Sequence, residues 1–198
     1  VGEIEWGDFN DFLNLREDLI KEDKTIEWDI SKLRKEIFRK KLCHVTPEHF
    51  RDEIVDKAFE IFIAKRHEIK LFNGVKESLK NLSKKYTLGV LTNGNADVYK
   101  FDIGRYFNFS ISSLEAKDSK PNRAHFDMAI SKVNDISFNN ILHIGDHQIN
   151  DILCAHNLGI DTLWFNNTNQ SWSQDFEKPD EFSSWTNLEQ IIRNKYER

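Results

Sequence analysis

Four short apolar segments, separated by segments with helical periodicity, dominate the last two-thirds of the chain. They are residues 87–91, 109–111, 141–144 and 162–165. Apolar strands that alternate with helices are typical of a parallel sheet covered by helices on both faces. The pattern therefore predicts an α/β domain over residues 70–198, with 162–165 as its last strand.

Residues 1–69 differ, because they show helical periodicity and no segment that predicts a strand. Leu33, Ile37 and Leu42 fall at helical spacing. The segment 46–48, Thr-Pro-Glu, predicts a helix start with threonine as the N-cap and proline at the first helical position. We expect a helical module that lies outside the sheet.

Turn and capping signals predict several helix ends in the sheet domain. Residues 96–106 are expected to be helical, and Pro121 is expected to open the next helix. Gly159 is expected to end a helix as its C′ residue. The last helix is predicted to begin at Thr186, with Glu189 completing a capping box.

Polar residues follow three of the predicted strands. They are Thr92, Asn93 and Gly94 after the first strand, Lys120 after the second, and Asp146 and Asp151 after the third. Ligands of open α/β sheets bind at the carboxyl ends of the strands. We therefore expect these residues to converge at one edge of the sheet.

This set of groups suits phosphate chemistry. A hydroxyl and backbone N–H groups can hold phosphate oxygens, and a lysine neutralises their charge. Carboxylates beside a phosphate would repel it unless a cation lies between them, and Mg²⁺ prefers such oxygen ligands. The set therefore predicts Mg²⁺-assisted phosphoryl chemistry, with Asp146 and Asp151 at the metal.

In order and spacing, these residues resemble three motifs of the haloacid dehalogenase (HAD) superfamily. Residues 91–94 resemble motif II, Lys120 resembles motif III, and residues 143–151 resemble motif IV. The resemblance covers residues 70–165, whereas residues 1–69 are similar only in being a helical cap of the C1 type. It implies a Rossmann-like core, domains at 1–69 (a partial cap) and 70–198, and a small phosphorylated molecule as substrate.

The resemblance also implies a role for each residue. Thr92, Asn93 and Gly94 would contact the phosphate, Lys120 would contact both phosphate and nucleophile, and Asp146 would bind Mg²⁺ with support from Asp151. The implied activity is a phosphatase that works through an aspartyl-phosphate. The Asn-Gly-Asn sequence of residues 93–95 and the tryptophan-rich tail look most like the branch that dephosphorylates flavin mononucleotide and riboflavin precursors.

The chain departs from the family pattern at the nucleophile. HAD enzymes attack with the first Asp of an Asp-x-Asp motif at the end of the first core strand, and the chain contains no Asp-x-Asp. Asp8 and Asp11 are the nearest pair, but they are spaced too widely. We expect an N-terminally truncated, inactive chain whose sheet lacks that strand between the strands ending at Leu91 and Ile144.

Two other functions stay open. A haloacid dehalogenase shares the fold and needs no metal, but resembles this chain less around residues 145–146. A non-catalytic remnant of the fold is the other alternative, although the intact Lys120 and Asp146 argue against it. Cys154 and His143 are expected to be packing residues, and His147 is expected to be a bystander beside the site.

Charge and composition exclude some classes of protein. The net charge of −5 argues against a nucleic-acid binder, and no apolar stretch approaches the roughly 20 residues of a membrane helix. Two cysteines cannot form a disulfide framework, so a cytoplasmic location is expected. The chain begins at Val1 and its one methionine is Met128, which also suggests a missing N-terminal segment.

Overall fold

The computed structural model describes residues 3–134 and 136–196. Its helices are α1 (Phe9–Glu22), α2 (Ile30–Leu42), α3 (Glu48–Arg66), α4 (Val75–Leu82), α5 (Ser113–Ala116), α6 (Ala124–Lys132), α7 (Cys154–Asn157) and α8 (Leu188–Lys195), with a π-helical turn (Gln148–Leu153) before α7. The strands are β1 (Gly89–Thr92), β2 (Phe109–Ser112), β3 (Leu142–Gly145), β4 (Asp161–Phe165) and β5 (Asp180–Phe182). The predicted α/β class with a helical cap is confirmed.

The strands are parallel and form two sheets. β1 pairs with β2, with Gly89 opposite Phe109. β3, β4 and β5 form the second sheet, with Leu142 opposite Asp161 and Leu163 opposite Asp180. Over the described ranges, no ladder joins β1 to β3. This break lies where a central strand was expected to be missing.

Hydrophobic contacts across α6 and α7 hold the two sheets together. Phe126, Cys154, Ala155 and Ile160 form a buried cluster against which Leu91, Ile141 and other side chains pack. The ring of Phe126 also packs edge-on against His143 of β3, with centroids 4.9 Å apart. Leu91 lies in β1 and Ile141 borders β3, so this cluster spans the break between the sheets.

Helices α1–α3 have an apolar cluster of their own, formed by Leu19, Ile26, Leu33 and Ile37. They contact the sheet domain through polar groups, since Ser113 Oγ donates to Trp28 O over 2.7 Å. The domain boundary between residues 69 and 70 stays a prediction. None of the helices in 3–134 and 136–196 has the length and apolarity needed to span a bilayer.

Several predicted helix starts are wrong. α3 begins at Glu48, and Thr46 does not cap it, because its hydroxyl donates to Leu42 O at the end of α2 over 2.7 Å. α6 begins at Ala124 and not at Pro121. The expected helix over 96–106 consists of two 3₁₀ turns, Val98–Lys100 and Gly104–Tyr106.

The C-terminal part differs in two further respects. β5 follows β4, so residues 162–165 are not the last strand. α8 begins at Leu188, and Glu189 forms no capping box, because its carboxylate accepts from Asn81 Nδ2 over 2.9 Å. The predicted role of Gly159 agrees with its φ of 74°, just after α7 and Leu158.

The two cysteines should differ strongly in reactivity. Cys154 is buried, and this burial raises the pKa of its thiol to about 11, whereas Cys43 is half-buried at the end of α2. A thiol with that pKa holds about one thiolate in a thousand at pH 8. Ellman's reagent should therefore modify Cys43 in the folded protein and Cys154 only after denaturation. A Cys43→Ser variant that reacts at the rate of the parent would contradict this placement of Cys154.

Candidate active site

Lys120 is a buried cation between the two sheets. Its Nζ donates to the carbonyl oxygen of Leu91 in β1 over 2.8 Å and to Asp151 Oδ1 over 2.6 Å. The two side chains of the ion pair are only 8% and 9% exposed. The ammonium therefore donates a hydrogen bond to the edge of β1 that pairs with no strand in the described chain.

Asn93 fixes the backbone that carries this lysine. Its Oδ1 accepts from Lys120 N over 2.8 Å, and its Nδ2 donates to Lys120 O over 2.9 Å. The amide thus provides the acceptor and the donor that the backbone of a neighbouring strand would otherwise provide to Lys120. The loop after β1 and the loop before α6 are therefore held as one unit by the Asn93 amide.

Thr92 and Gly94 form a small open turn beside Asn93. Thr92 Oγ1 accepts from Gly94 N over 2.9 Å, so the hydroxyl hydrogen remains available to a ligand. A Cβ on Gly94 would lie 3.1 Å from Thr92 Oγ1 and 3.5 Å from Arg66 Nη2. Glycine therefore leaves a space that a core hydroxyl and a cap guanidinium both border.

Asp151 is held by groups on three sides. Besides Lys120, its Oδ2 accepts from His147 N over 3.0 Å, and His143 Nε2 lies 3.6 Å from Oδ1. Burial alone would raise the pKa of this carboxyl, but the His143 and Lys120 side chains hold it well below its usual range. Its Cβ and carboxyl group lie within 2.6 Å of where a Cβ on Gly145 would be, so that position requires glycine.

His147 has a structural role that the sequence analysis did not assign. Its Nδ1 accepts from Ile149 N over 3.2 Å and from Asn150 N over 3.0 Å, which makes it the N-cap of the π-helical turn. Asp151 lies in the first turn of the same segment. The side chain that was expected to be a bystander therefore orients the helix that carries the partner of Lys120.

The side chain of Asp146 lies outside this hydrogen-bond network. Its carbonyl oxygen accepts from Trp164 Nε1 over 2.9 Å, while the residue is exposed to solvent at the carboxyl end of β3. Within 3–134 and 136–196, no group of three or more His, Cys, Asp and Glu side chains could hold a metal ion. The described chain thus offers one free carboxylate at this edge, since both oxygens of Asp151 are engaged.

Asp8 and Asp11, the nearest pair to a nucleophile motif, form a helix cap instead. Asp8 Oδ1 accepts from Asn10 N and Asp11 N, and Asp11 Oδ2 accepts from Asp8 N over 2.9 Å. This reciprocal arrangement is a capping box at the start of α1. The pair is therefore explained by the local structure of the cap.

A pocket of about 320 Å³ lies between the cap and the loops at the carboxyl ends of β1 and β2. Its lining includes Trp28, Ser31, Thr92, Asn95, Tyr99 and Glu115. Of its cap residues, neither Trp28 nor Ser31 belongs to a sequence motif. They lie on either side of Asp29, which caps α2 by accepting from Lys32 N over 2.9 Å.

Direct contacts connect Asn93, Lys120 and Asp151, and Thr92 bonds to Gly94 in the loop that carries Asn93. Asp146 adjoins His147, whose backbone N–H donates to Asp151. The roles of these residues toward phosphate and metal stay predictions. Together with the fold, they define an α/β protein with a helical cap beside the carboxyl ends of its strands. Residues 15–165 match the family of haloacid dehalogenase-like hydrolases, and the chain belongs to this family.

Two curated relatives from Escherichia coli (strain K12) are, by name, a phosphatase and a nucleotidase. The chain is 32% identical to 5-amino-6-(5-phospho-D-ribitylamino)uracil phosphatase YigB over 120 residues, 59% of this chain and 50% of that protein. It is 25% identical to pyrimidine 5′-nucleotidase YjjG over 154 residues, 75% of this chain and 65% of that protein. The chain thus matches half to two-thirds of the length of these relatives.

Solved structures share the fold. A 2-haloacid dehalogenase from Pseudomonas syringae pv. Tomato DC3000 superposes with a TM-score of 0.86 and 28% identity, over 95% of this chain and 82% of that chain. A HAD phosphatase from Thermococcus onnurineus superposes with a TM-score of 0.58 and 18% identity, over 89% and 91% of the two chains. The second likeness concerns the fold alone.

The Lys120–Asp151 pair should be a major determinant of stability. Lys120→Met or Asp151→Leu leaves one buried charge without its partner, which costs about 3–5 kcal/mol. The double variant removes both charges and should be more stable than either single variant. Urea unfolding of all four proteins gives the coupling free energy, with the exposed Arg123–Asp127 pair as a control whose coupling should be close to zero.

The same pair predicts a pH dependence. Because the pKa of Asp151 is lower in the folded protein, its contribution to stability is full above about pH 4 and is lost as the pH falls. The double variant should lack this part of the acid sensitivity. If the free energy of unfolding fell with pH in the same way for the parent and the double variant, the pair would have little influence on stability in acid.

Proposed function

We propose that this chain carries the phosphate-binding part of a Mg²⁺-dependent phosphatase that acts on a small phosphorylated metabolite. The observation that carries the proposal is Lys120, which Asn93 and Asp151 hold directly beside the Thr92–Gly94 turn. A buried cation, a free hydroxyl hydrogen and an open glycine position suit a phosphate monoester. Membership of a hydrolase family and the names of the two curated relatives support this choice.

Each residue has a proposed role in binding. Thr92 Oγ1 would donate to a phosphate oxygen, while Lys120 would share its ammonium between that phosphate and Asp151. Asn93 positions Lys120 through both of its backbone groups and would act on phosphate only indirectly. Hydrolysis through an aspartyl-phosphate needs a nucleophilic Asp, which the 198 residues do not supply in an Asp-x-Asp motif.

Asp146 is the proposed protein ligand for Mg²⁺. The ion is often held by one or two carboxylates together with phosphate oxygens and water, so one exposed carboxylate fits part of such a site. Bound Mg²⁺ would offset negative charge on the phosphate. Asp151 is better suited to fixing Lys120 than to metal binding, because the ammonium and His147 N occupy its two oxygens.

The proposed substrates are phosphate esters of the riboflavin pathway, such as flavin mononucleotide or a ribitylamino-pyrimidine phosphate. Both curated relatives act, by name, on a phosphate ester of a pyrimidine that carries a five-carbon sugar or polyol. The pocket between cap and core offers the aromatic side chains of Trp28 and Tyr99 for a ring. Its threonine and serine hydroxyls would suit a polyol.

A haloacid dehalogenase is the second candidate, favoured by the Pseudomonas syringae structure with its TM-score of 0.86. Lys120 and Thr92 would hold a carboxylate as well as a phosphate. The two candidates differ in metal dependence and in product. Phosphate release that requires Mg²⁺ supports the phosphatase, whereas halide release from 2-chloropropionate without added metal supports the dehalogenase.

The 198-residue chain alone should not turn over p-nitrophenyl phosphate, with or without Mg²⁺. The reason is that no Asp-x-Asp nucleophile is present to form the covalent intermediate. A chimera whose added N-terminal strand ends in Asp-x-Asp should gain turnover if that strand occupies the break between β1 and β3. Mg²⁺-dependent turnover by the chain alone would contradict the prediction, and Asp8→Asn and Asp11→Asn variants would then identify the nucleophile.

Asp146→Asn in an active form of the protein should weaken Mg²⁺ dependence. Removing the charged ligand should raise the Mg²⁺ concentration for half-maximal activity at least about tenfold, or ~1.4 kcal/mol. The matched control is Glu53→Gln, which removes the same charge from the exposed face of α3 and should leave that concentration unchanged. An unchanged Mg²⁺ titration for Asp146→Asn would exclude Asp146 as a ligand.

A further inference from the structure

Two arginines of the cap lie close together without a carboxylate partner. Arg34 is half-buried between the rings of Phe12 and Phe62, with its Cζ 5.0 and 4.6 Å from their centroids. Arg66, the last residue of α3, lies over the same Phe62 ring at 5.8 Å. No acidic side chain in residues 3–134 or 136–196 comes within ion-pair distance of either guanidinium.

This arrangement is unfavourable in the protein by itself. Burial lowers the pKa of Arg34, and the charge of Arg66 lowers it further. Two other arginines are neutralised by acidic side chains, since Arg39 pairs with Glu36 and Asp52, and Arg123 pairs with Asp127. Two like charges held together in this way become favourable when an anion binds between or beside them.

Arg66 borders the turn that follows β1. Arg66 Nη2 and Thr92 Oγ1 both lie within 3.5 Å of the position that a Gly94 Cβ would occupy. Arg34 lies one helical turn after Ser31, whose Oγ accepts from Asn95 Nδ2 over 3.2 Å. Residues three apart share one helix face, so Arg34 and Ser31 lie on the same side of α2.

Lys120 does not supply the positive charge that would balance a phosphate at this position. Its ammonium is already neutralised by Asp151 over 2.6 Å. A phosphate monoester carries close to two negative charges at neutral pH. Arg66 borders the turn and Arg34 lies beside Arg66, and neither has a carboxylate partner among the described residues. Their combined charge matches that of one phosphate dianion.

We propose that Arg66, with Arg34 behind it, binds a phosphate dianion in the space above Gly94, where Thr92 Oγ1 donates to the same group. The inference rests on the proposed function for the choice of a phosphate ester as ligand. It adds that the cap takes part in binding the phosphate through these two guanidiniums. An anion held there would join α2 and α3 of the cap to the loop after β1.

Calorimetric titration of the 198-residue chain with inorganic phosphate at constant ionic strength tests the site. Arg66→Gln should weaken phosphate binding at least about tenfold, and Arg34→Gln should weaken it about threefold or more. The matched control is Lys57→Gln, which removes one positive charge from the exposed face of the same helix and should change the affinity less than about twofold. Thermal midpoints show that each variant is folded, and Arg66→Lys, which keeps the charge, should bind better than Arg66→Gln.

Gly94→Ala tests the position without changing any charge. Its methyl group would occupy the space between Thr92 Oγ1 and Arg66 Nη2, so phosphate affinity should fall at least about tenfold. Acetate, with one negative charge, should bind more weakly than phosphate in the parent protein. Equal affinity for acetate and phosphate would overturn the assignment of a dianion.

Other outcomes would overturn the site itself. They are no phosphate binding by the parent, an Arg66→Gln affinity within about twofold of the parent, or an equal loss in Lys57→Gln. Failure of the proposed function is distinguishable, because these titrations need neither Mg²⁺ nor turnover. Arg66-dependent phosphate binding in a protein that never hydrolyses phosphate esters would keep the site and refute the phosphatase.

Discussion

The ion pair between Lys120 and Asp151 is the contact on which the site depends. It joins the loop before α6 to the segment after β3, and the second hydrogen bond of the ammonium reaches the carbonyl oxygen of Leu91 in β1. A buried pair is costly to form but far more costly to break, because the remaining charge would lie in an apolar environment. Both partners are therefore fixed, and with them the two loops that carry Thr92 and Asp146.

The pair also determines which other groups would have to balance the charge of a bound phosphate. Asp151 cancels the charge of Lys120, so an arriving phosphate would find a neutral pair and not a free cation. Asp151 would not follow the lysine toward the phosphate, because His147 N holds its second oxygen. The ammonium could therefore turn partly to a ligand, while the balancing charge would have to come from other cations, for which we propose the cap arginines and a metal ion at Asp146.

Four of the five strands in the described residues, and the polar residues that follow three of them, could be predicted from the sequence, because apolar segments and the residues at their carboxyl ends are local features. β5 was missed, because its three residues include only one buried apolar side chain, Phe182. The helix starts failed where a side chain found a more distant or different partner. Thr46 bonds to the carbonyl of Leu42 behind it, and Glu189 bonds to Asn81, more than a hundred residues away. The contact of Asn93 with both backbone groups of Lys120 was equally hidden, since it joins residues 27 positions apart.

Arg34 and Arg66 could not be found from the sequence for a related reason. Each stands among many charged residues of amphipathic helices, and nothing in the spacing of residues 34 and 66 marks them as neighbours. Only the fold shows that both guanidiniums meet at Phe62 and that one of them reaches the space left by Gly94. The absence of a side chain at residue 94 then acquires a physical meaning, because any Cβ would separate the cap cation from the core hydroxyl. A glycine typical of an ordinary turn leaves open the space between Thr92 Oγ1 and Arg66 Nη2, and in our proposal cap and core contact the same anion through that space.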